Sequence, residues 1–281
     1  MSAKWALFFD VDKCTGCQNC FVAVKDEYVG NERAGYFAAQ PATGHVWFGV
    51  KHRERGPAPF TNVAYVLETC QHCDDAPCMK AAANGAVTKR PDGIVIIDPQ
   101  KARGQKQIVD ACPYGAVSWN EHSQTPQAWP FDAHLLDEAW RRTRGEQVCV
   151  TGALVSIKID DAAFEDKKRE GWRELRPDLG TKARVLYKGL ERLETIFVVG
   201  SLETERGGVT DCLEGAQVEL VRDGVVLASA TSDGFGDFKI DGLAPGGEAM
   251  LRISTASGAH DEIPVVLDRC VSIGRRIVPA T

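Results

Sequence analysis

Two cysteine triplets in the first eighty residues, and a run of short alternating segments beyond Thr195, predict an α+β chain in separate parts. Residues 1–164 read as a ferredoxin-like iron-sulfur domain with insertions, and residues 195–281 as an all-β, immunoglobulin-like sandwich. Residues 165–194 read as an arm connecting them. A chain of 281 residues, 44% of them hydrophobic, is long enough for two cores.

The stretch DVDKCTGCQNC places Cys14, Cys17 and Cys20 at C-x2-C-x2-C spacing, with Gly16 free to let the backbone curl. Three thiolates so spaced converge on one face of an iron-sulfur cubane, and a fourth ligand has to come from elsewhere. Bacterial ferredoxins continue with C-x3-C, a cysteine that ligates a second cluster, but here that position is Val24. ETCQHCDDAPC repeats the arrangement with Cys70, Cys73 and Cys78, and its outgoing position is Ala82. Two single cysteines, Cys112 in DACPYGAV and Cys149 in EQVCVTGALV, are available to complete the triplets. Three plus one, twice, implies two [4Fe-4S] clusters.

The remaining elements follow in order. The aromatic run at 5–11 predicts a strand delivering the chain to the first triplet, and 21–28 a short helix leaving it. Gly, Pro and Arg punctuate residues 30–69, which read as a surface insertion with one strand at 46–50. Its run Lys51-His52-Arg53-Glu54-Arg55 reads as a solvated face. Beyond the second triplet a DG turn precedes a strand at 93–98, and 99–110 reads as a helix leading into Cys112. Trp119, Trp129 and Trp140 mark a second insertion at 119–148 and read as core or interface filler. A charged helix at 166–175, ended by Pro177, opens the arm. From Thr195 the period becomes two, with strands at 217–222, 225–230, 237–240, 248–254, 262–267 and 271–278 and Asp-Gly turns at 223–224 and 233–234. Cys212 and Cys270 fall here and read most simply as buried thiols, with a mutual disulfide the minority reading in a reducing compartment.

Composition excludes several function classes. The net charge is -6, and beyond Thr195 there are 13 acidic against 7 basic residues, so no basic stripe for nucleic acid is expected. No apolar run is long enough for a membrane span. The first ligand arrives by residue 14, which leaves no room for a signal peptide, and CxxC clustering without one favours metal over disulfides. The chain is therefore expected in the cytoplasm. There is no Ser-His-Asp set, carboxylate dyad or phosphate loop, and the six histidines share no ligand spacing, so no catalytic residue is expected on this chain.

Taken together, DVDKCTGCQNC, CQHCDDAPC, ACPYGAV and AHLLD followed by CVTGALV resemble the four cysteine groups of the iron-sulfur subunits of molybdopterin oxidoreductases of the dimethyl sulfoxide reductase type. With PDLGTKARVLYKGL and the terminal sandwich, the chain is most similar to the small subunits of the pyrogallol-phloroglucinol transhydroxylases and related anaerobic resorcinol-type hydroxylases. The resemblance implies a double ferredoxin-like domain and a pairing of Cys14, Cys17 and Cys20 with Cys149, and of Cys70, Cys73 and Cys78 with Cys112. It further implies a large partner subunit that holds a bis-pterin molybdenum cofactor and acts on phenolic rings. Two whole ligand sets of the family are missing, at Val24, Trp129, Asp132 and Gly145 and at Ala82, Ala102, Gln105 and Ile108. In the family these are the middle clusters of a line. The resemblance therefore implies two clusters at opposite ends, the second held mainly as a structural staple. An electron-transfer subunit or free ferredoxin-type carrier for another oxidoreductase is the alternative function, and zinc the alternative metal.

Overall fold

The computed structural model describes residues 3–279. Contacts divide the chain into a first unit, residues up to 52 with 65–190, and a second, 53–64 with residues from 191 on.

The first unit is built around β1 (Lys4–Asp10), buried from Ala6 to Asp10, followed by α1 (Asn19–Tyr28). β2 (Phe48–Arg55) and β3 (Asn62–Thr69) pair as a two-stranded sheet whose outer residues, 53–64, belong to the second unit. After α2 (Pro77–Ala81) come β4 (Val87–Lys89) paired with β5 (Val95–Ile97), then α3 (Gln107–Asp110) and the pair β6 (Ser118–Asn120) and β7 (Thr125–Gln127). α4 (Ala133–Asp137), α5 (Arg144–Gln147), β8 (Leu154–Ile159), α6 (Asp161–Arg169) and β9 (Val185–Lys188) complete it. β1 lies between antiparallel β8 and parallel β9, which accounts for its unbroken run of apolar residues. Ala6, Phe8 and Leu186 pack with Phe164 of α6.

Several local expectations are corrected. The helix expected at 166–175 is α6, which begins earlier because the Asp160 side chain accepts the Ala163 N–H at 2.8 Å and caps it. It ends as the chain turns through Gly171 at φ +91. Within the stretch read as an arm, β9 pairs with β1 from Leu7↔Val185 to Asp10↔Lys188, so this part is sheet in the first unit. The insertion at 30–69 contains two strands, not one. Lys51 to Glu54 are exposed as a solvated face should be, but Arg55 is buried, donating to the Thr195 carbonyl at 2.6 Å and lying 5.7 Å from the Phe197 ring centre. Of 99–110 only α3 is helical, because Gly104 at φ +79 interrupts the run.

In the second unit, α7 (Glu191–Glu194) leads into β10 (Ile196–Arg206), β11 (Val209–Cys212), β12 (Gln217–Arg222), β13 (Val225–Thr231), β14 (Asp237–Leu243), β15 (Glu248–Ser254), β16 (His260–Val266) and β17 (Val271–Val278). β10 pairs with β11 and β14 antiparallel and with β17 parallel, while the other sheet runs β13-β12-β15-β16. Val198, Leu202, Phe238 and Ile240 of one sheet meet Val218, Leu220, Leu251 and Ile253 of the other in one core. The alternating strands fall where their period placed them, whereas β10 escaped notice because IFVVG is continuously apolar. Asp223 and Gly224 both have positive φ, the conformation that a two-residue hairpin turn requires. In the turn at 233–236 the left-handed residue is Gly236, where a Cβ would lie 2.2 Å from the Leu202 carbonyl oxygen. Cys212 is exposed, contrary to expectation, because β11 is a short strand with all four residues exposed; Cys270 is half-buried against the core, and both are free thiols. Among the described residues no helix is long and apolar enough to cross a membrane.

Candidate iron-sulfur centres

The loop after β1 curls through Gly16 at φ +70 and Gln18 at φ +63 and delivers Cys20 to the first turn of α1. A Cβ on Gly16 would stand 2.3 Å from the Tyr65 ring, so glycine is required there by contact as well as by conformation. Cys149 follows α5, on a turn closed by the Gly152 N–H donating to its carbonyl. Cys14, Cys17, Cys20 and Cys149 line one small cavity together with Phe9, Val50 and Leu154. Cys20 is buried, Cys17 exposed, and the other two are half-buried. Burial pushes the Cys14 thiol up and that of Cys20 to about 11, and each is raised further by its neighbours in the same set. Backbone N–H groups of Gly16 and Phe21 offset part of this at Cys14 and Cys20.

The second set forms where β3 ends. Cys70 is pushed well above its ordinary value by burial and further by Cys78, Cys73 and Cys112, and the single cysteine after α3 packs against the same core cluster as Cys78. Cys73 and Cys78 are both pushed up to about 11, burial again being the main cause, and Cys112 acts on each. The Thr181 hydroxyl bonds Cys73 and also the Tyr114 hydroxyl, at 2.6 Å. Between Cys70 and Cys73, His72 adopts φ +46 and is buried; its Nδ1 accepts the Val95 N–H at 3.1 Å, and burial lowers it to about 3, so it is neutral. Sequence reasoning missed His72, Thr181 and Lys89 as supports of this loop. Only the position of His72 between two ligands was a signal.

The positions that the resemblance marks as two missing ligand sets are taken up by other contacts. Asp132, wholly buried, accepts the Tyr28 hydroxyl at 2.5 Å, the Trp129 indole N–H at 2.7 Å and the Arg144 N–H at 2.7 Å. Val24 is buried on α1, which packs on α5, and a Cβ on Gly145 would come within 3.1 Å of Leu154 and Phe48. Trp129 is core, as expected, stacked on Phe131 at 4.9 Å; Trp119 is half-buried, and Trp140 lies partly exposed, 5.8 Å from the Arg144 guanidinium. The other set is apolar apart from Gln105: Ala102 and Ile108 share a core with Ala86 and Val95, and Ala82, Cys78 and Cys112 pack against it. Gln105 turns back to bond the Ala83 N–H at 2.8 Å. Between the two cysteine sets runs a buried link. Phe9 lies 6.1 Å from Tyr187, whose hydroxyl accepts from Gln71, the neighbour of Cys70, at 3.0 Å.

These residues fit iron-sulfur clusters. Each set offers four sulfurs, and cavity walls and backbone donors are already in place around the first. Among the described residues no three His, Cys, Asp or Glu side chains close on a point as a single ion requires; the first set stands around a cavity instead. Buried thiols with raised pKa would release their protons on ligating a cationic cluster core, which would link cluster binding to folding.

A family model described as a 4Fe-4S dicluster domain matches residues 61–158. The pyrogallol hydroxytransferase small subunit of Pelobacter acidigallici is 39% identical over 96% of this chain and 98% of its own length. A subunit of the tetrathionate reductase of Salmonella typhimurium is 31% identical over 67% of this chain and 73% of its own length. The iron-sulfur subunit of the arsenate respiratory reductase of a Shewanella species is 31% identical over 47% of this chain and 52% of its own.

Proposed function

From the premise that this chain belongs to the family of iron-sulfur subunits that includes the pyrogallol hydroxytransferase small subunit, we propose that it carries two [4Fe-4S] clusters beside a larger molybdopterin subunit. Cys14, Cys17, Cys20 and Cys149 hold the first, and Cys70, Cys73, Cys78 and Cys112 the second. When bound, the clusters supply one-electron transfer. The chain's own residues bind and shield: the thiolates ligate, the Gly16 and Phe21 N–H groups donate to sulfur, and Phe9, Val50 and Leu154 line the first cavity.

On this reading the partner's bis-pterin molybdenum site hydroxylates or transhydroxylates a phenolic ring, and this chain contributes no catalytic residue. The two sheets of the second unit form an immunoglobulin-like sandwich that binds no cofactor. Free thiols in ligand clusters suit the reducing cytoplasm. The observation that carries the reading is the meeting of each triplet with its own single cysteine. Iron and acid-labile sulfide analysis of anaerobically isolated protein is expected to give about eight of each per chain. A value near twelve, or stoichiometric zinc, contradicts it.

A further inference from the structure

We propose that Lys89 holds the reduction potential of the second cluster above that of the first, so that an electron entering the chain settles on the Cys70, Cys73, Cys78 and Cys112 set. The inference rests on the reading of those cysteines as cluster ligands. It assigns the second cluster a redox role in addition to that of a staple.

Lys89 ends β4 with its ammonium tucked under the ligand loop. It donates to the carbonyls of His72 at 2.9 Å, Cys73 at 3.0 Å and Gly93 at 2.8 Å. Three N–H donors meet three carbonyls, so the site is built for the ammonium; a neutral amine would turn its lone pair toward one of those oxygens. Asp74 Oδ1 stands 2.9 Å away as an ion pair. Asp74 is shared, with Lys4 at 3.8 Å and Arg184 at 3.9 Å, and those two cations also reach Asp161 at 3.1 and 2.9 Å. Three cations thus face two carboxylates, which leaves one positive charge in excess, and the side chains of Lys89 and Arg184 are only 15% and 2% exposed.

The first cavity is different. Its lining of Phe9, Thr15, Gln18, Val50, Thr151 and Leu154 beside the cysteines contains no charged side chain, and Lys13, next to Cys14, is an exposed lysine paired with Asp10 at 3.7 Å. Reduction adds one negative charge to a cluster, and a fixed positive charge in a medium of low dielectric stabilises that form, raising the potential. With both clusters bound, an electron on a reduced first cluster would pass to an oxidised second with no bond formed or broken, the four cysteines of each set still holding it.

Reductive titration of the anaerobically isolated holoprotein, with each cluster followed by its electron paramagnetic resonance signal, tests this. In wild type the second cluster is expected to reduce first. Lys89→Met is expected to lower its reduced-to-oxidised ratio about tenfold at fixed ambient potential, ~59 mV for a one-electron couple, and to leave the first cluster unmoved. Asp74→Asn is expected to shift the same ratio the other way, and Lys89→Arg to keep it near wild type. Unchanged ratios in both charge-removing variants, or equal movement of both clusters, overturn the proposal. Where Lys89→Met fails to retain the second cluster, the opposite shift in Asp74→Asn decides for the proposal and its absence against it. If wild type lacks a second cluster by iron and sulfide analysis, the ligand reading fails and takes the inference with it; a cluster that is present but unmoved sinks the inference alone.

Discussion

Tyr28→Phe removes a single hydroxyl from the network around the buried Asp132. The ring keeps its contacts with Phe37 at 4.6 Å and Trp47 at 5.2 Å, so packing is preserved and only the 2.5 Å bond to Asp132 disappears. A hydrogen bond to a charged group contributes about 1.5–3 kcal/mol, and Asp132 is wholly buried, with no solvent to take the hydroxyl's place. A loss near 2 kcal/mol moves the unfolding midpoint down by about 4–8 °C for a unit of this size. The effect depends on pH in a definite sense. Burial raises the Asp132 carboxyl above its ordinary value in the folded chain, opposed by its three donors. A raised folded pKa means stability that is present at acid pH and is lost as pH rises through that pKa. Removing the tyrosine raises the carboxyl further, so the penalty is larger at pH 8 than at pH 5. Thermal unfolding of the anaerobic protein at both pH values, followed by near-ultraviolet circular dichroism, measures it. A midpoint within 1 °C of wild type at pH 8, or an equal loss at both pH values, would refute an ionised, buried Asp132 as the centre of this network.

Three further predictions follow from the geometry. Cys149→Ser is expected to abolish the signal of the first cluster and Cys112→Ser that of the second, while Cys212→Ser, on an exposed strand, leaves both; the same signal lost in the first two variants contradicts the pairing. Gly16→Ala is expected to cost about 3 kcal/mol and to empty the first cluster in part, since left-handed strain adds to a 2.3 Å clash with Tyr65. Gly152→Ala, with nothing within 4 Å, is expected to cost only about 1 kcal/mol, and equal iron loss in the two would show that the clash is irrelevant. Native mass measurement is expected to find this chain with a much larger one; a chain running alone would favour the free-carrier alternative.

The six triplet cysteines among the ligand candidates were legible because a cluster loop is a local object: short spacing brings three thiols together without help from the rest of the chain, whereas Cys112 and Cys149 are single cysteines whose pairing the resemblance implied. Strands such as β15, whose buried and exposed residues alternate, were legible for a similar reason, since period two records one buried face. β10 and β9 were not, because a strand buried on both faces loses its period and a parallel partner lies far away in sequence. Which of these non-cysteine positions centre on a buried carboxylate and which join an apolar core was also beyond local reading. Asp132 looks like an ordinary surface residue until Tyr28, Trp129 and Arg144, from different segments, are seen to donate to it. The same holds for Lys89: in the sequence it is one lysine in a short strand, and its role depends on carbonyls 17 and 16 residues before it and 4 after it. Local spacing determined which atoms can ligate. Only the tertiary structure decided which fixed charges stand beside them, because the energy of a buried charge is set by neighbours in space.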